Sequence, residues 1–292
     1  MNEELRRLAF KSPTALPELA ADKATGEIKA IYQAIEAALG VRLVNLVYRH
    51  MATVPGALEW AWGVVGASFQ SGQFGERSKQ LLSLGISEIA DEAPNTNLSL
   101  SSMGLSAGEA DQVLATLDAY NRANPINALS LRIVSLALES GRSSSLVLPS
   151  VPDDEKLSQL PALLPIPPLD SLDSETLALL RRLACVTNGR ETKIIPSIFR
   201  HFAPWPSLLT RLATWMEQSL DSDVIDGLAD KVSNAADDIA CDIYEGLRKP
   251  TENAVVPDAA TRATLLETIE IFPPAICRMI VIGGVLRGTL RV

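Results

Sequence analysis

The chain has 292 residues, of which 47% are apolar and 21% charged, a composition typical of soluble globular proteins. Its net charge of −9 argues against a nucleic-acid partner, because binding a phosphate backbone requires clustered Lys and Arg. No run of about 18 apolar residues occurs, and the first ten residues lack the apolar core of a signal peptide, so no membrane partner is expected. Three cysteines without Cys-x-x-Cys spacing indicate a reducing compartment, and the expected location is cytoplasmic.

Prolines and glycines divide the chain into two units, in agreement with its length. Residues 1–22, broken by two prolines, are predicted to form a leading arm. Residues 23–141 are predicted to form a first helical repeat. Residues 142–172 hold six prolines and are predicted to be a stiff linker, whose leucines favour packing on the surface. Residues 173–292 are predicted to form a second helical repeat.

Apolar residues recur with the helical period in both units, as from Ile28 to Leu39, and no segment alternates with a period of two. The sequence therefore predicts an all-α fold of two tandem helical repeats. Residues that satisfy free backbone groups mark several helix ends. They are Gly40 as a C-cap, Ser106 with Glu109 as a capping box, and Asp173 and Asp258 as N-caps.

Two proline sites are predicted to interrupt helices, Asn124-Pro125 in the first unit and Phe272-Pro273-Pro274 in the second. Asn124 would then lie at a helix break, where its amide could point into a cavity and orient a small polar ligand. The alternative is that Asn124 is the N-cap of a helix that begins at Pro125.

One sequence motif occurs twice, at Tyr48–Pro55 and Phe199–Pro206, and it contains His50 and His201, the two histidines of the chain. Such a duplication predicts that the two units form a pseudo-dimer. The Arg-His pairs could act as acid or base near the pseudo-twofold axis. Alternatively, the Arg-His pairs have a structural role, as capping and hydrogen-bonding groups at the same position in each repeat. Two isolated histidines are too few for a metal site, so no metal is expected.

Short segments in a matching order give the chain a resemblance to a known family. They are Ala52-Thr53-Val54-Pro55-Gly56, Ala123-Asn124-Pro125, Leu179-Leu180-Arg181-Arg182-Leu183-Ala184 and Ala203-Pro204-Trp205-Pro206. The chain resembles the group I 2-haloacid dehalogenases, sometimes labelled halocarboxylic acid dehydrogenases. This resemblance implies an all-helical pseudo-dimer that hydrolyses small 2-haloacids by direct attack of water, without a covalent ester. No cofactor is expected.

In that family an asparagine and an aspartate, one from each repeat, hold and activate the water. The resemblance carries the asparagine over to Asn124 as a catalytic residue, whereas Ile198 occupies the place of the aspartate. The nearest carboxylate that could replace it is Glu191. The resemblance also places a set of residues at the substrate, namely Leu43, Leu46, Ser197, Ile198 and Phe199.

Two functions of different classes follow. The first is an enzyme of this family that acts on a small 2-substituted carboxylic acid in the cavity between the repeats. The second is a non-catalytic protein of the same fold that binds a small acid or serves as a scaffold, which the alkyl side chain of Ile198 favours. A new reaction that uses His50 and His201 is a third possibility. A homodimer is also possible.

Overall fold

Ten α-helices make up most of the described chain in the computed structural model, which describes residues 16–87, 97–140, 157–188, 194–246 and 257–292. They are α1 (Gly26–Leu39), α2 (Leu46–Met51), α3 (Ala57–Ser71), α4 (Gln73–Ser87), α5 (Ala107–Ser140), α6 (Ser174–Asn188), α7 (Ser197–His201), α8 (Pro206–Ser219), α9 (Ser222–Gly246) and α10 (Ala259–Thr289). Three-residue 3-10 helices lie at Ala21–Lys23, Ser101–Met103 and Leu169–Ser171. Two short strands, β1 (Leu98–Ser99) and β2 (Leu290–Arg291), pair in parallel. The predicted all-α class is confirmed.

The two longest helices, α5 and α10, pack along each other at the centre of the protein. Helices α4 and α9 both pack against this central pair, α1 packs on α3, and α6 packs on α8. At one crossing of the central pair the Asn121 amide donates to the Gly283 carbonyl at 3.1 Å. A Cβ at position 283 would collide with the Asn121 side chain, so glycine allows this close approach.

The predicted helix ends are confirmed where backbone groups find side-chain or backbone partners. Gly40 ends α1 in the left-handed conformation at φ 65°. The Ser106 hydroxyl and backbone N–H both donate to Glu109, while the Glu109 N–H donates back to the hydroxyl. Asp173 accepts from the Thr176 N–H at 2.8 Å, and Asp258 accepts from the N–H at the start of α10. These contacts explain why the helices begin and end at these residues.

Both predicted proline breaks are wrong. Helix α5 continues through Pro125, and α10 continues through Pro273 and Pro274. A proline inside a helix removes one backbone hydrogen bond and costs about 3 kcal/mol. Both helices occupy the centre of the protein, and we attribute their continuity to packing that offsets this cost. Asn124 is therefore a residue of the middle of a helix, and it does not cap one.

The described part of the predicted linker, residues 157–172, lies along the protein surface. Its leucines at 157, 160, 163, 169 and 172 are half-buried against the core, and the Leu160 N–H donates to the Gly40 carbonyl at 2.8 Å. The arm is held in a similar way, because the Leu19 N–H donates to the Arg49 carbonyl at 2.9 Å. Residues 142–156 and 1–15 lie outside the described residues.

Helix α10 is the one described helix whose length and composition would suit a membrane span. However, 67% of its most apolar stretch is buried inside the protein, as expected of a core helix.

The first five helices follow the same order as the last five, with a short helix second and the longest helix last. Two tandem repeats would give this order, and the repeat itself stays a prediction.

Candidate functional site

A cavity of about 60 Å³ lies where α2 and α7 meet the central helices α5 and α10. A buried water needs about 10–15 Å³ on the same measure, so the space suits a few waters or one small organic molecule. The residues that line it come from both predicted repeats. They are Asn45, Leu46, Val47, Tyr120, Asn124, Asn127, Ile194, Pro196, Ser197, Ile198, Phe272, Ala275, Ile276 and Met279.

The structure brings four of the predicted site residues to this cavity, Leu46, Asn124, Ser197 and Ile198. Leu43 and Phe199 are also buried, but they do not line the cavity. Glu191 lies outside the described residues. The contact of any of these residues with a ligand stays a prediction.

Asn124 presents its amide to the cavity from the middle of α5. Among the described residues, none hydrogen-bonds this side chain. Tyr120 and Asn127 line the cavity from the same helix, one turn before and one turn after Asn124. A spacing of i, i+4 and i+7 places three side chains on one face of a helix. This polar face around Asn124 was the available signal for Tyr120 and Asn127, which the sequence analysis missed.

Two buried arginines and one carboxylate lie directly behind Ser197. The Arg49 Nη2 donates to the Ser197 Oγ at 3.1 Å, and the Arg49 Nε donates to one oxygen of Glu18 at 2.8 Å. The Arg200 Nη1 donates to the other Glu18 oxygen at 2.6 Å. Two guanidiniums therefore share one carboxylate, and the cluster keeps a net charge of about +1. Only about 5% of either arginine side chain is exposed, so water screens this charge poorly.

Glu18 stays ionised because of these arginines. Burial alone would raise the pKa of its carboxyl, but the charges and hydrogen bonds of Arg49 and Arg200 outweigh burial and lower the pKa below its usual range. Glu18, in the leading arm, is thus a negatively charged counter-ion for Arg49 and Arg200, which are far apart in the sequence.

Tyr120 connects the cavity to His201, because its hydroxyl lies 2.9 Å from the His201 Nδ1. The two rings meet edge to face with centroids 5.6 Å apart. Burial lowers the pKa of His201 to about 4; the Leu164 and Ser197 carbonyls oppose this shift, whereas Arg49 and Arg200 add to it. The imidazole is therefore neutral at pH 7. Burial also raises the pKa of Tyr120, so its hydroxyl is protonated.

The second histidine has no such link. The His50 Nδ1 lies 2.9 Å from the Pro17 carbonyl, and its Nε2 has no hydrogen-bond partner among the described residues. Its ring stacks beside Phe272, which lines the cavity but has no hydroxyl group.

The charge of the cavity wall is unusual for a hydrolytic site. None of the residues that line the described cavity is an aspartate or glutamate, and Ile198 is 1% exposed among apolar neighbours. The polar groups at the wall are neutral amides and hydroxyls, backed by the cationic cluster. The cavity can therefore hold an anion or a polar group, but its described lining offers no carboxylate as a base.

Comparisons with known proteins agree with this architecture, although no family model matches the chain. A configuration-inverting 2-haloacid dehalogenase from Alcaligenes xylosoxydans xylosoxydans is 27% identical over 208 residues, which are 68% of this chain and 67% of that protein. A mutant D-2-haloacid dehalogenase in complex with D-2-CPA has the same fold, with a TM-score of 0.73 and 17% identity over 95% of this chain and 97% of that one. A D-2-haloacid dehalogenase with L-LA gives 0.72 at the same identity and coverage. The sequence match thus supports the resemblance to the 2-haloacid dehalogenases, and the solved structures show that this chain shares the fold of the D-2-haloacid dehalogenases.

Proposed function

We propose that the cavity binds a small 2-substituted carboxylic acid, and that hydrolytic dehalogenation of such an acid is slow. The net positive charge behind Ser197 is the observation that carries this proposal. A buried cationic cluster beside a cavity without carboxylates attracts an anion into a space of low dielectric. The names of the relatives, which act on 2-haloacids, point to the same class of ligand.

The cavity has a polar side at Ser197 and an apolar side at Ile198, which suit the carboxylate and the substituent of such an acid. The carboxylate would accept a hydrogen bond from the Ser197 hydroxyl, with the Arg49 guanidinium one contact further away. The substituent at carbon 2 would lie against the apolar side chains of Ile198, Ile276 and Met279. The Asn124 amide, which no described residue hydrogen-bonds, can donate to and accept from the ligand or a water molecule and so orient it.

Slow hydrolysis follows from the cavity wall. Water is a weak nucleophile, and a general base that removes its proton during attack is typically worth about 10²–10⁴-fold in rate. The family resemblance assigns this role to an aspartate at the position of Ile198, which cannot accept a proton. We therefore expect turnover of 2-chloropropionate at least about 10²-fold below that of an active relative.

Isothermal titration calorimetry with propionate and its neutral analogue propionamide tests the binding. At about 6 Å and an effective dielectric constant of 20, one net charge attracts a carboxylate by about 3 kcal/mol before desolvation. Propionate is therefore expected to bind at least about 10-fold more tightly than propionamide. Equal affinities, or no binding of either compound, would contradict the proposed site.

The variant Ser197→Ala tests the carboxylate contact. Losing a hydrogen bond to a charged group costs about 1.5–3 kcal/mol, so propionate should bind roughly 10- to 100-fold more weakly. Ser78→Ala is the matched control, because Ser78 is also a buried helical serine but bonds the Gly75 carbonyl away from the cavity. If both variants bind propionate like the unmodified protein, the carboxylate is held elsewhere.

The alternative is a non-catalytic protein that binds a small acid or serves as a scaffold. Halide release from 2-chloropropionate separates the two, since a binder retains affinity for propionate and releases no halide. Brisk release, by contrast, would mean that a residue other than the one at position 198 supplies a strong base.

A further inference from the structure

We propose that the Tyr120–His201 pair accepts the proton of the water that attacks a 2-haloacid in the cavity. This inference rests on the proposed function and names the group that supports the slow hydrolysis. Tyr120 is the member of the pair that lines the cavity, and His201 lies behind it at hydrogen-bond distance. The pair therefore links the cavity to a neutral imidazole in the interior.

The direction of the hydrogen bond between Tyr120 and His201 depends on which ring nitrogen carries the hydrogen. The backbone carbonyls of Leu164 and Ser197 both hydrogen-bond the imidazole, and a carbonyl can only accept. The proposed step uses the tautomer in which Nε2 carries the hydrogen and Nδ1 keeps its lone pair. The Tyr120 hydroxyl then donates to Nδ1, and its own oxygen keeps lone pairs for a donor. Without a ligand, the Ser197 hydroxyl donates to one of them. When the ligand carboxylate takes the Ser197 hydrogen, as proposed above, both lone pairs of the Tyr120 oxygen are open to a water in the cavity.

The proposed step balances as follows. The water oxygen forms a bond to carbon 2 while the carbon–halogen bond breaks and its electron pair leaves with the halide. One proton of the water passes to the Tyr120 oxygen, and the phenolic proton passes to the His201 Nδ1. The products are a 2-hydroxy acid, a halide ion and an imidazolium, which returns its proton to solvent. Attack from the face opposite the halogen inverts the configuration at carbon 2.

The charged groups around His201 fix its strength as a base. Burial disfavours the imidazolium most, and Arg49 and Arg200, which share Glu18, add to this effect, while the backbone carbonyls of Leu164 and Ser197 oppose it. The result is a base about as strong as an ordinary aspartate, whose pKa is about 3.9. His201 therefore has the basicity of the carboxylate that Ile198 replaces, but it acts through an intervening hydroxyl.

His50 provides a matched control within the same chain. It stands at the same place in the duplicated motif, is similarly buried, and bonds a backbone carbonyl instead of a cavity hydroxyl. A structural role common to both histidines would make His50→Gln and His201→Gln equally harmful. A role in proton transfer would affect only His201→Gln.

The experiment measures bromide release from both enantiomers of 2-bromopropionate, with calorimetric binding of propionate in parallel. His201→Gln and Tyr120→Phe should each lower bromide release by about 10- to 100-fold and change the dissociation constant of propionate by less than about 3-fold. His50→Gln should keep the rate of the unmodified protein. Tyr120→Phe removes one oxygen and retains the ring, so it remains informative if His201→Gln does not fold.

Three results would overturn the inference. One is bromide release by Tyr120→Phe at the unmodified rate, and another is equal loss in His50→Gln and His201→Gln. The third is propionate binding by the unmodified protein without any bromide release, which would leave the proposed binding site intact while removing the proton acceptor. Absence of propionate binding would refute the proposed function instead.

Discussion

Glu18 holds two buried arginines that belong to different halves of the chain, and its removal tests the importance of this ion cluster. The change Glu18→Gln keeps the shape of the side chain and one acceptor oxygen. It removes the single negative charge between Arg49 and Arg200, which would then repel each other in a poorly solvated place. We expect a large loss of stability for a single change at a residue that is 21% exposed.

The magnitude follows from the geometry. Two unit charges 4 Å apart attract by about 4 kcal/mol at an effective dielectric constant of 20, and Glu18 makes two such contacts. Desolvation cancels much of this attraction in the intact cluster, whereas removing one partner of a buried pair typically costs about 3–5 kcal/mol. The partial exposure of Glu18 reduces the cost, so we expect a loss of about 2–4 kcal/mol. For a protein of this size the melting temperature should fall by roughly 3–7 °C.

Urea unfolding followed by circular dichroism measures this loss at pH 7. Glu76→Gln is the control, because Glu76 pairs with Lys79 in an exposed ion pair and should cost less than about 0.5 kcal/mol. Since the folded pKa of Glu18 is lowered, its contribution is complete above its ordinary pKa of about 4.3 and is lost as the pH falls through the folded value. The difference between the two proteins should therefore shrink below about pH 4. A loss under about 1 kcal/mol at pH 7 would refute the reasoning.

Two further predictions concern turnover. Ile198→Asp should raise halide release from 2-chloropropionate by restoring a carboxylate base, at a cost in stability because the new charge is buried; an unchanged rate at retained propionate affinity would contradict the assigned position. Halide release by the unmodified protein should be constant near neutral pH and fall as the pH drops through about 4, where His201 becomes protonated. A pH–rate profile with its limb near pH 6.5, the value of an exposed histidine, would contradict the buried environment of His201.

Local signals predicted the helix ends well and the helix interiors less well. Gly40, Asp173 and Asp258 act within a few residues of their own position, so the sequence alone determines their capping contacts. Pro125 was misleading because its local cost of about 3 kcal/mol competes with burial of the whole central helix. That burial depends on α10, whose residues lie more than 130 positions further along the chain.

The candidate site shows the same contrast between what the sequence indicates and contacts that form only in the folded protein. Four residues that the family resemblance indicated line one cavity, Leu46, Asn124, Ser197 and Ile198, and their role at a ligand stays a prediction. Contacts across the fold were not predictable. Glu18 meets Arg200 over 182 residues, and neither local spacing nor composition indicates such a pair.

The two copies of the Arg-His motif differ in their contacts, and this difference bears on whether such a pair is structural or chemical. Both arginines bind Glu18, so this part of the motif serves the same structural purpose in each copy. Each histidine contacts an aromatic ring that lines the cavity, but the two differ because only one of those rings bears a hydroxyl group. His201 meets Tyr120 and gains a path to the cavity, whereas His50 meets Phe272 and has none. In the first copy of the motif the histidine packs, and in the second copy the histidine is the proposed base. The phenolic oxygen of Tyr120, on α5, makes this difference.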